Sequence, residues 1–127
     1  MFKRIDHIEL IPTDIDKTID FYINVLGFSM AERLPVDMPP LKEIAYLKLK
    51  DTMIELISVS NPEPAPKNPY HTGYCGIAIE VENMDETVAY MKGKNIDIAW
   101  GPVNLGSCIR AEIRDPDGFT VELREWL

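Results

Sequence analysis

The sequence is poor in cysteine and in basic residues. Its two cysteines, Cys75 and Cys108, form no Cys-x-x-Cys pair, so no disulfide framework is indicated. Thirteen Lys and Arg residues stand against 21 Asp and Glu residues, which gives a net charge of −8. Because this charge repels a phosphate backbone, we expect no nucleic-acid partner.

Long apolar runs are also missing. No segment approaches the roughly 18 apolar residues that a membrane-spanning helix needs. The charged residues Lys3, Arg4 and Asp6 occupy the N-terminal segment, where a signal peptide would place an apolar stretch. We therefore expect a cytoplasmic protein that does not bind membranes.

What the sequence does contain is typical of one globular domain. It has 127 residues, of which 46% are hydrophobic and 27% are charged. An internal repeat organises these residues. The segment His7-Ile8-Glu9 aligns with Gly76-Ile77-Ala78 at an offset of 69, and Glu55-Leu56 aligns with Glu122-Leu123 at an offset of 67. Because the matches recur in the same order, the sequence indicates one module that has been duplicated.

Each module is predicted to have the order β-α-β-β-β, which makes an α+β fold. The first helix is expected to be capped by Thr13 and to end at Gly27. The second helix is predicted over residues 84–93. Strands are predicted over residues 4–11, 28–34, 43–50, 52–59, 75–82, 96–100, 107–114 and 119–126.

A proline-rich segment separates the two modules. Residues 61–73 contain Pro62, Pro64, Pro66 and Pro69, and such a segment favours an extended connector over a strand. The prediction is a single domain of residues 1–127, made of module 1–60 and module 74–127. Each module is too small to bury much apolar surface alone, so we expect the two to share a core.

Strand alternation predicts which polar side chains share a face. In the first module His7 and Glu9 lie opposite Ile8 and Leu10, and Glu55 lies opposite its apolar neighbours. The second module repeats this pattern. A face that mixes carboxylates, a histidine and apolar side chains suits a lined cavity. The residues predicted to line it are Glu9, Met53, Ile57, Ala78, Thr120 and Arg124.

Three segments carry a resemblance to a known family. The segments Asp6-His7-Ile8, Met53 to Ile57 and Asp115 to Leu123, with the Asp115-Pro116-Asp117-Gly118 turn, resemble the vicinal oxygen chelate superfamily. That superfamily includes glyoxalase I, bleomycin-binding proteins and extradiol dioxygenases. The resemblance covers essentially the whole chain. It implies two βαβββ modules whose mixed sheets curl around a cavity, with the helices outside.

The resemblance also implies a metal site. Carried over position by position, the ligands are His7, Glu55 and Glu122, together with the residue at position 76. An imidazole and carboxylates suit a divalent zinc, nickel, manganese or iron ion. This chain departs from the family at Gly76, where metal-dependent members carry histidine. His71 is a possible substitute ligand or, alternatively, an ordinary loop residue.

The function implied is that of a glyoxalase-like, lactoylglutathione lyase-like lyase or isomerase acting on a small oxygenated substrate. The metal would stabilise an enediolate or oxyanion, and Glu122 or Glu55 would shuttle the proton. The alternative is a metal-free binding or sequestration protein of the bleomycin-resistance type, which Gly76 favours. An extradiol dioxygenase is a third possibility, disfavoured by the missing second histidine. The resemblance also predicts a homodimer.

Overall fold

The duplicated strand order appears directly in the computed structural model, which describes residues 1–127. The chain divides into a first unit, Met1–Pro64, and a second unit, Ala65–Leu127. Each unit contains one four-stranded mixed sheet and one α-helix. The α+β fold and the β-α-β-β-β order are therefore confirmed. The elements of the first unit are β1 (Ile8–Leu10), α1 (Ile15–Asp20), β2 (Ser29–Met38), β3 (Leu41–Leu49) and β4 (Thr52–Val59). Those of the second are β5 (Gly76–Glu80), α2 (Met84–Gly93), β6 (Trp100–Asn104), β7 (Cys108–Arg114) and β8 (Thr120–Trp126).

The two sheets have the same topology. The strand order is β1-β4-β3-β2 in the first unit and β5-β8-β7-β6 in the second. The first and last strands of each unit pair in parallel, and the remaining pairs are antiparallel. The last strand is therefore the inner neighbour of the first. This topology brings residues near position 9 beside residues near position 55, although 46 positions separate them in the chain.

The first unit buries its apolar residues beneath α1. The Asp14 side chain caps this helix by accepting hydrogen bonds from the backbone N–H groups of Asp16 and Lys17. The expectation that Thr13 provides the cap was therefore wrong by one residue. The helix continues into a π-helical turn, Phe21–Val25, and Gly27 follows with a φ of 81°. This left-handed conformation suits glycine, so the predicted end of the helix is confirmed. Buried residues of this core include Ile15, Phe21, Tyr22, Phe28, Ala45, Leu47, Ile54 and Leu56.

The second unit buries its apolar residues beneath α2 in the same way. Asn83 caps the helix through the Glu86 backbone N–H, and the Met84 backbone N–H donates to Glu125 at 2.6 Å. The Asp115 side chain organises the turn before β8, since it accepts from the backbone N–H groups of Asp117 and Phe119. The buried residues include Met84, Met91, Cys108, Ala111, Ile113, Val121 and Leu123. Cys108 is a free cysteine within this core.

Two strand predictions need correction. The first strand is three residues long, Ile8–Leu10, where eight residues were expected. The strand predicted at 96–100 lies instead at Trp100–Asn104. A register irregularity falls between Trp100 and Val103, where Gly101 has a φ of 78° and Pro102 lacks an N–H donor. Periodicity alone misses such a break because it assumes regular alternation.

No helix of the chain has the length and apolar character required to cross a bilayer.

Candidate functional site

The first unit brings three potential metal ligands together. His7 immediately precedes β1, and β1 pairs with β4 so that Glu9 lies directly opposite Glu55. The His7 Nε2 atom lies 3.0 Å from Oε2 of Glu55 and 3.6 Å from Oε1 of Glu9. These three residues, the His7 cluster, form the one group whose ligand atoms all lie within 4.8 Å of one another.

Burial distinguishes the members of the His7 cluster. The Glu55 side chain is 9% exposed, whereas those of His7 and Glu9 are 25% and 62% exposed. A carboxylate that is shielded from water needs compensating polar contacts. His7 provides one contact, and the Tyr46 hydroxyl provides another by donating a hydrogen bond to Glu55. This hydrogen bond, burial and the charge of Glu55 all raise the pKa of Tyr46.

Asp6 determines which nitrogen of His7 faces the carboxylates. Oδ2 of Asp6 lies 2.8 Å from Nδ1 of His7, which leaves Nε2 directed at Glu9 and Glu55. The hydrogen bond to Asp6 is the largest cause of the raised pKa of His7, and the negative charge of Glu55 adds to it. The same hydrogen bond lowers the pKa of Asp6. Tyr46 also contacts the imidazole edge-on, with 5.7 Å between ring centroids.

The donor set fits a divalent metal ion. One imidazole nitrogen and two carboxylate oxygens are ligands that zinc, nickel, manganese and iron accept, and three protein ligands leave positions open for substrate oxygens. A carboxylate on the far nitrogen of a ligating histidine is a common supporting contact at metal sites. The His7 cluster with Asp6 behind it therefore has the chemistry of a metal site within one unit.

The second unit lacks this donor set at the equivalent positions. Strand register makes Glu122 the counterpart of Glu55, and it makes Gly76 and Ala78 the counterparts of His7 and Glu9. A side chain at position 76 has no room. A Cβ built on Gly76 would lie 2.6 Å from the backbone carbonyl oxygen of Thr120. The missing histidine therefore reflects close backbone packing as well as a change of residue.

Glu122 is held within its own unit by two arginines. Arg124 Nε donates to Oε1 of Glu122 at 2.6 Å, and Arg110 Nε lies 3.1 Å from Oε2. Glu112 accepts from Arg110 at 2.6 Å and from Arg114 at 3.2 Å. The hydrogen bond from Arg124 to Glu122 is the largest cause of the raised pKa of Arg124. We call these five residues the arginine–glutamate network.

The remaining predicted site residues lie in both units. His71 lies in the loop before β5, and its Nδ1 is 3.1 Å from the Thr72 carbonyl oxygen, a contact typical of an ordinary loop residue. Met53 lines a crevice of about 240 Å³ together with Arg4, Asp6 and Lys48. Ile57 is half-buried on β4. In the second unit, Ala78 is exposed on β5, and Thr120 and Arg124 are half-buried on β8.

Sequence reasoning missed the contacts of Asp6, Tyr46 and Arg110, and it assigned Glu9 to the cavity lining only. Asp6 is adjacent to His7, so the Asp-His dipeptide was an available signal. Tyr46 and Arg110 are different, because each reaches its glutamate through strand pairing. Predicting these contacts would require knowing the register in which two distant segments pair.

Comparison with known proteins agrees with this architecture. The family model described as the Glyoxalase/Bleomycin resistance protein/Dioxygenase superfamily matches residues 4–123. The lactoylglutathione lyase of Escherichia coli O157:H7 is 30% identical over 126 residues, which are 96% of this chain and 92% of that protein. A lactoylglutathione lyase of Arabidopsis thaliana is 29% identical over 95% of this chain, and the chain spans 44% of that protein's length.

Solved structures show the same fold. A glyoxalase family protein from Enterococcus faecalis has a TM-score of 0.85 at 24% identity, covering 98% of both chains. A trypanothione-dependent glyoxalase I from Leishmania major has a TM-score of 0.78 at 26% identity, covering 98% of this chain and 87% of that one.

Proposed function

Because the chain belongs to the Glyoxalase/Bleomycin resistance protein/Dioxygenase superfamily, we propose that it is a metal-dependent, glyoxalase-like lyase. The observation that carries this proposal is the His7 cluster, in which His7, Glu9 and Glu55 place their ligand atoms within 4.8 Å of one another. The 30% identity to a lactoylglutathione lyase over nearly the whole chain supports the reaction class. The substrate is accordingly a small oxygenated molecule.

The His7 cluster would hold a divalent zinc, nickel, manganese or iron ion. Such an ion polarises a substrate carbonyl and stabilises the negative charge that develops on oxygen. His7 contributes an imidazole nitrogen that Asp6 orients, and Glu9 and Glu55 contribute carboxylates. Glu122 was predicted as a further ligand, and this role stays a prediction that variants can test.

The proposed reaction also needs a carboxylate that takes a proton from one carbon and returns it to its neighbour. Glu55 suits this role because it belongs to the ligand group, beside the open coordination positions, and is shielded from bulk water. Glu122 is the other candidate, but Arg110 and Arg124 engage its two oxygens. Because these two arginines already contact the oxygens of Glu122, we assign the proton transfer to Glu55.

Metal content per chain is the first test. Protein purified without a tag should carry close to one zinc, nickel, manganese or iron ion per chain in elemental analysis. Glu55→Gln and Glu9→Gln should lower this value, whereas Glu63→Gln, at an exposed position in the proline-rich segment, should not. Absence of metal after incubation with excess divalent ions would refute the proposal. Loss of metal in Glu122→Gln would instead extend the ligand set to that residue.

Turnover provides the second test. The metal-loaded protein should convert the hemithioacetal of a 2-oxoaldehyde and glutathione into the isomeric thioester, with no added co-reactant. Glu55→Gln should lose turnover by about 10²-fold or more, the usual contribution of a general base. Full metal loading without turnover on hemithioacetals or on acyl-CoA epimers would contradict the lyase assignment.

A metal-free binding protein is the second candidate. Gly76 and Ala78 favour it, because the second unit has no ligands at the positions equivalent to His7 and Glu9. Such a protein would bind a small molecule with no metal and no turnover. The same metal analysis therefore separates the two candidates.

Two further expectations stay predictions. A homodimer should sediment at twice the 14.5 kDa of the chain, and cell fractionation should recover the protein in the cytoplasm.

A further inference from the structure

The second unit has arginines where the first unit has apolar residues. On β7 and β8, Arg110 pairs directly with Arg124. The equivalent pair on β3 and β4 is Ile44 with Ile57. The duplicated module therefore carries an apolar pair beside Glu55 in one unit and a cationic pair beside Glu122 in the other.

Like charges that face each other directly across a strand pair are destabilising unless an anion lies between them. Glu122 partly fills that role through its contacts with Arg110 and Arg124. Each guanidinium group also lies over the ring of a tryptophan, in a cation–π contact. Arg110 lies 5.4 Å from the ring centroid of Trp100, and Arg124 lies 5.0 Å from that of Trp126. These contacts restrict the positions of both guanidinium groups.

The two arginines retain unused hydrogen-bond donors. Each guanidinium has five N–H groups. Arg124 uses Nε to bind Glu122, which leaves both of its terminal nitrogens outside the network's hydrogen bonds. Arg110 uses Nη2 to bind Glu112. Its Nε is close to Glu122, but the N–H does not point at that oxygen, so this buried nitrogen has no hydrogen-bond partner. The side chains are 33% and 28% exposed, so a small ligand can reach them.

We propose that Arg110 and Arg124 form a binding site for a small organic carboxylate on the second unit. A planar guanidinium fork matches the two oxygens of a carboxylate, and Arg is the residue best suited to such bidentate contacts. This site goes beyond the proposed lyase function and needs no metal ion. Glu122 acts in it as an internal competitor, because its charge pairs with both arginines and it occupies the Nε donor of Arg124.

The other charges of this sheet face favour a carboxylate over a phosphate. Glu112 and Arg114 continue the network, and Glu80 lies opposite Arg124 on β5 without an ion pair to it. Three carboxylates are therefore present beside three guanidinium groups. Repulsion from these carboxylates is greater for a divalent phosphate, whose two charges lie on one centre, than for a single carboxylate group. In a dicarboxylate such as succinate, the second carboxylate can stay outside the site.

Tryptophan fluorescence reports on this site directly, because Trp100 and Trp126 are the two tryptophans of the chain and both contact the arginine pair. Metal-stripped protein is titrated with sodium succinate, with sodium chloride at matched ionic strength and sodium phosphate as comparisons. We expect a saturable change with succinate, a weaker response to phosphate and none with chloride. Using metal-stripped protein keeps this result independent of whether the His7 cluster binds a metal.

If Arg110 and Arg124 bind succinate, two variants should change the succinate affinity in opposite directions. Arg124→Gln should weaken succinate binding by about tenfold or more, since it removes a charge-assisted bidentate contact. Glu122→Gln should tighten binding, because it removes the negative charge that pairs with both arginines. Arg33→Gln, at an arginine of the first unit that Glu43 and Asp16 hold, is the matched control and should bind like the parent. Circular dichroism checks the fold, and Arg124→Lys provides a second variant, with a smaller loss, if Arg124→Gln is unfolded.

If succinate changed the tryptophan fluorescence no more than chloride does, the proposal would be overturned. Tighter binding of phosphate than of succinate would overturn the assignment to carboxylates. An unchanged affinity in both Arg124→Gln and Glu122→Gln would show that the fluorescence change arises elsewhere.

Discussion

Gly76→Ala tests whether the second unit lost its metal ligand for a packing reason. The added Cβ would lie 2.6 Å from the carbonyl oxygen of Thr120 and 3.0 Å from its Cβ. Carbon and oxygen atoms that are not bonded normally stay more than about 3 Å apart. Even in C–H···O contacts the carbon and oxygen atoms are about 3.3–3.6 Å apart. The obstructing oxygen belongs to the backbone of β8, so it cannot move aside as a flexible side chain could.

The expected cost follows from two opposing effects. Overpacking in a tight region costs about 1–3 kcal/mol. Replacing glycine by alanine at a position with an allowed backbone recovers about 0.4–1 kcal/mol by restricting the unfolded chain. Taking the middle of both ranges, we expect Gly76→Ala to lower the free energy of unfolding by about 1–2 kcal/mol. With a urea m-value of about 2 kcal/mol/M, the midpoint falls by about 0.5–1 M.

Urea denaturation measures this shift, and Gly93→Ala is the matched control. Gly93 lies at the end of α2 with no atom within 4 Å of a built Cβ, so alanine there should be neutral or stabilising by up to about 1 kcal/mol. An unchanged midpoint for Gly76→Ala would refute the packing explanation. So would a stable Gly76→His variant that binds more metal than the parent.

Three further predictions concern the first unit. Asp6→Asn should weaken metal binding about 10–100-fold, because it removes the anion that orients His7; competition with a chromogenic chelator measures this, and an unchanged affinity would show that Asp6 does not position the ligand. Asp14→Ala should lower the free energy of unfolding by about 1 kcal/mol through loss of the α1 cap, and a thermal melt that matches the parent would contradict this. The hydrogen bonds and charge of Arg33 lower the pKa of Glu43 in the folded state. The resulting stabilisation, about 0.2–1 kcal/mol, is present above the unfolded pKa of the carboxyl and is lost as the pH falls through its lowered folded pKa. The stability difference between the parent and Glu43→Gln should therefore shrink on acidification from pH 6, and a constant difference would contradict it.

Several features of the fold were predictable because they depend on neighbours in the chain. The repeat of His7-Ile8-Glu9 in Gly76-Ile77-Ala78 indicated the duplication, and Gly27 marked the end of the first helix. The errors were also local. Thr13 and Asp14 are both good capping residues, and the choice between them depends on which one adopts the extended backbone of the cap.

The candidate site was only partly predictable for a different reason. Alternation along single strands placed His7 and Glu9 on one side of β1, and the resemblance singled out Glu55. That Glu9 lies beside Glu55, and that Tyr46 donates to it, depends on how β1 and β3 pair with β4. Sequence periodicity reports which face a residue occupies but carries no information about its cross-strand neighbour.

The sequence alone therefore determined the module order, the approximate strands and the residue types available for chemistry, since these follow from local propensity and period. Only the tertiary structure decided which of those residues meet. It joined His7, Glu9 and Glu55 into one ligand group, and it packed Gly76 against Thr120. It also surrounded Glu122 with arginines. The physical reason is that strand register is a collective property of two distant segments, and it selects contacts that neither segment encodes by itself.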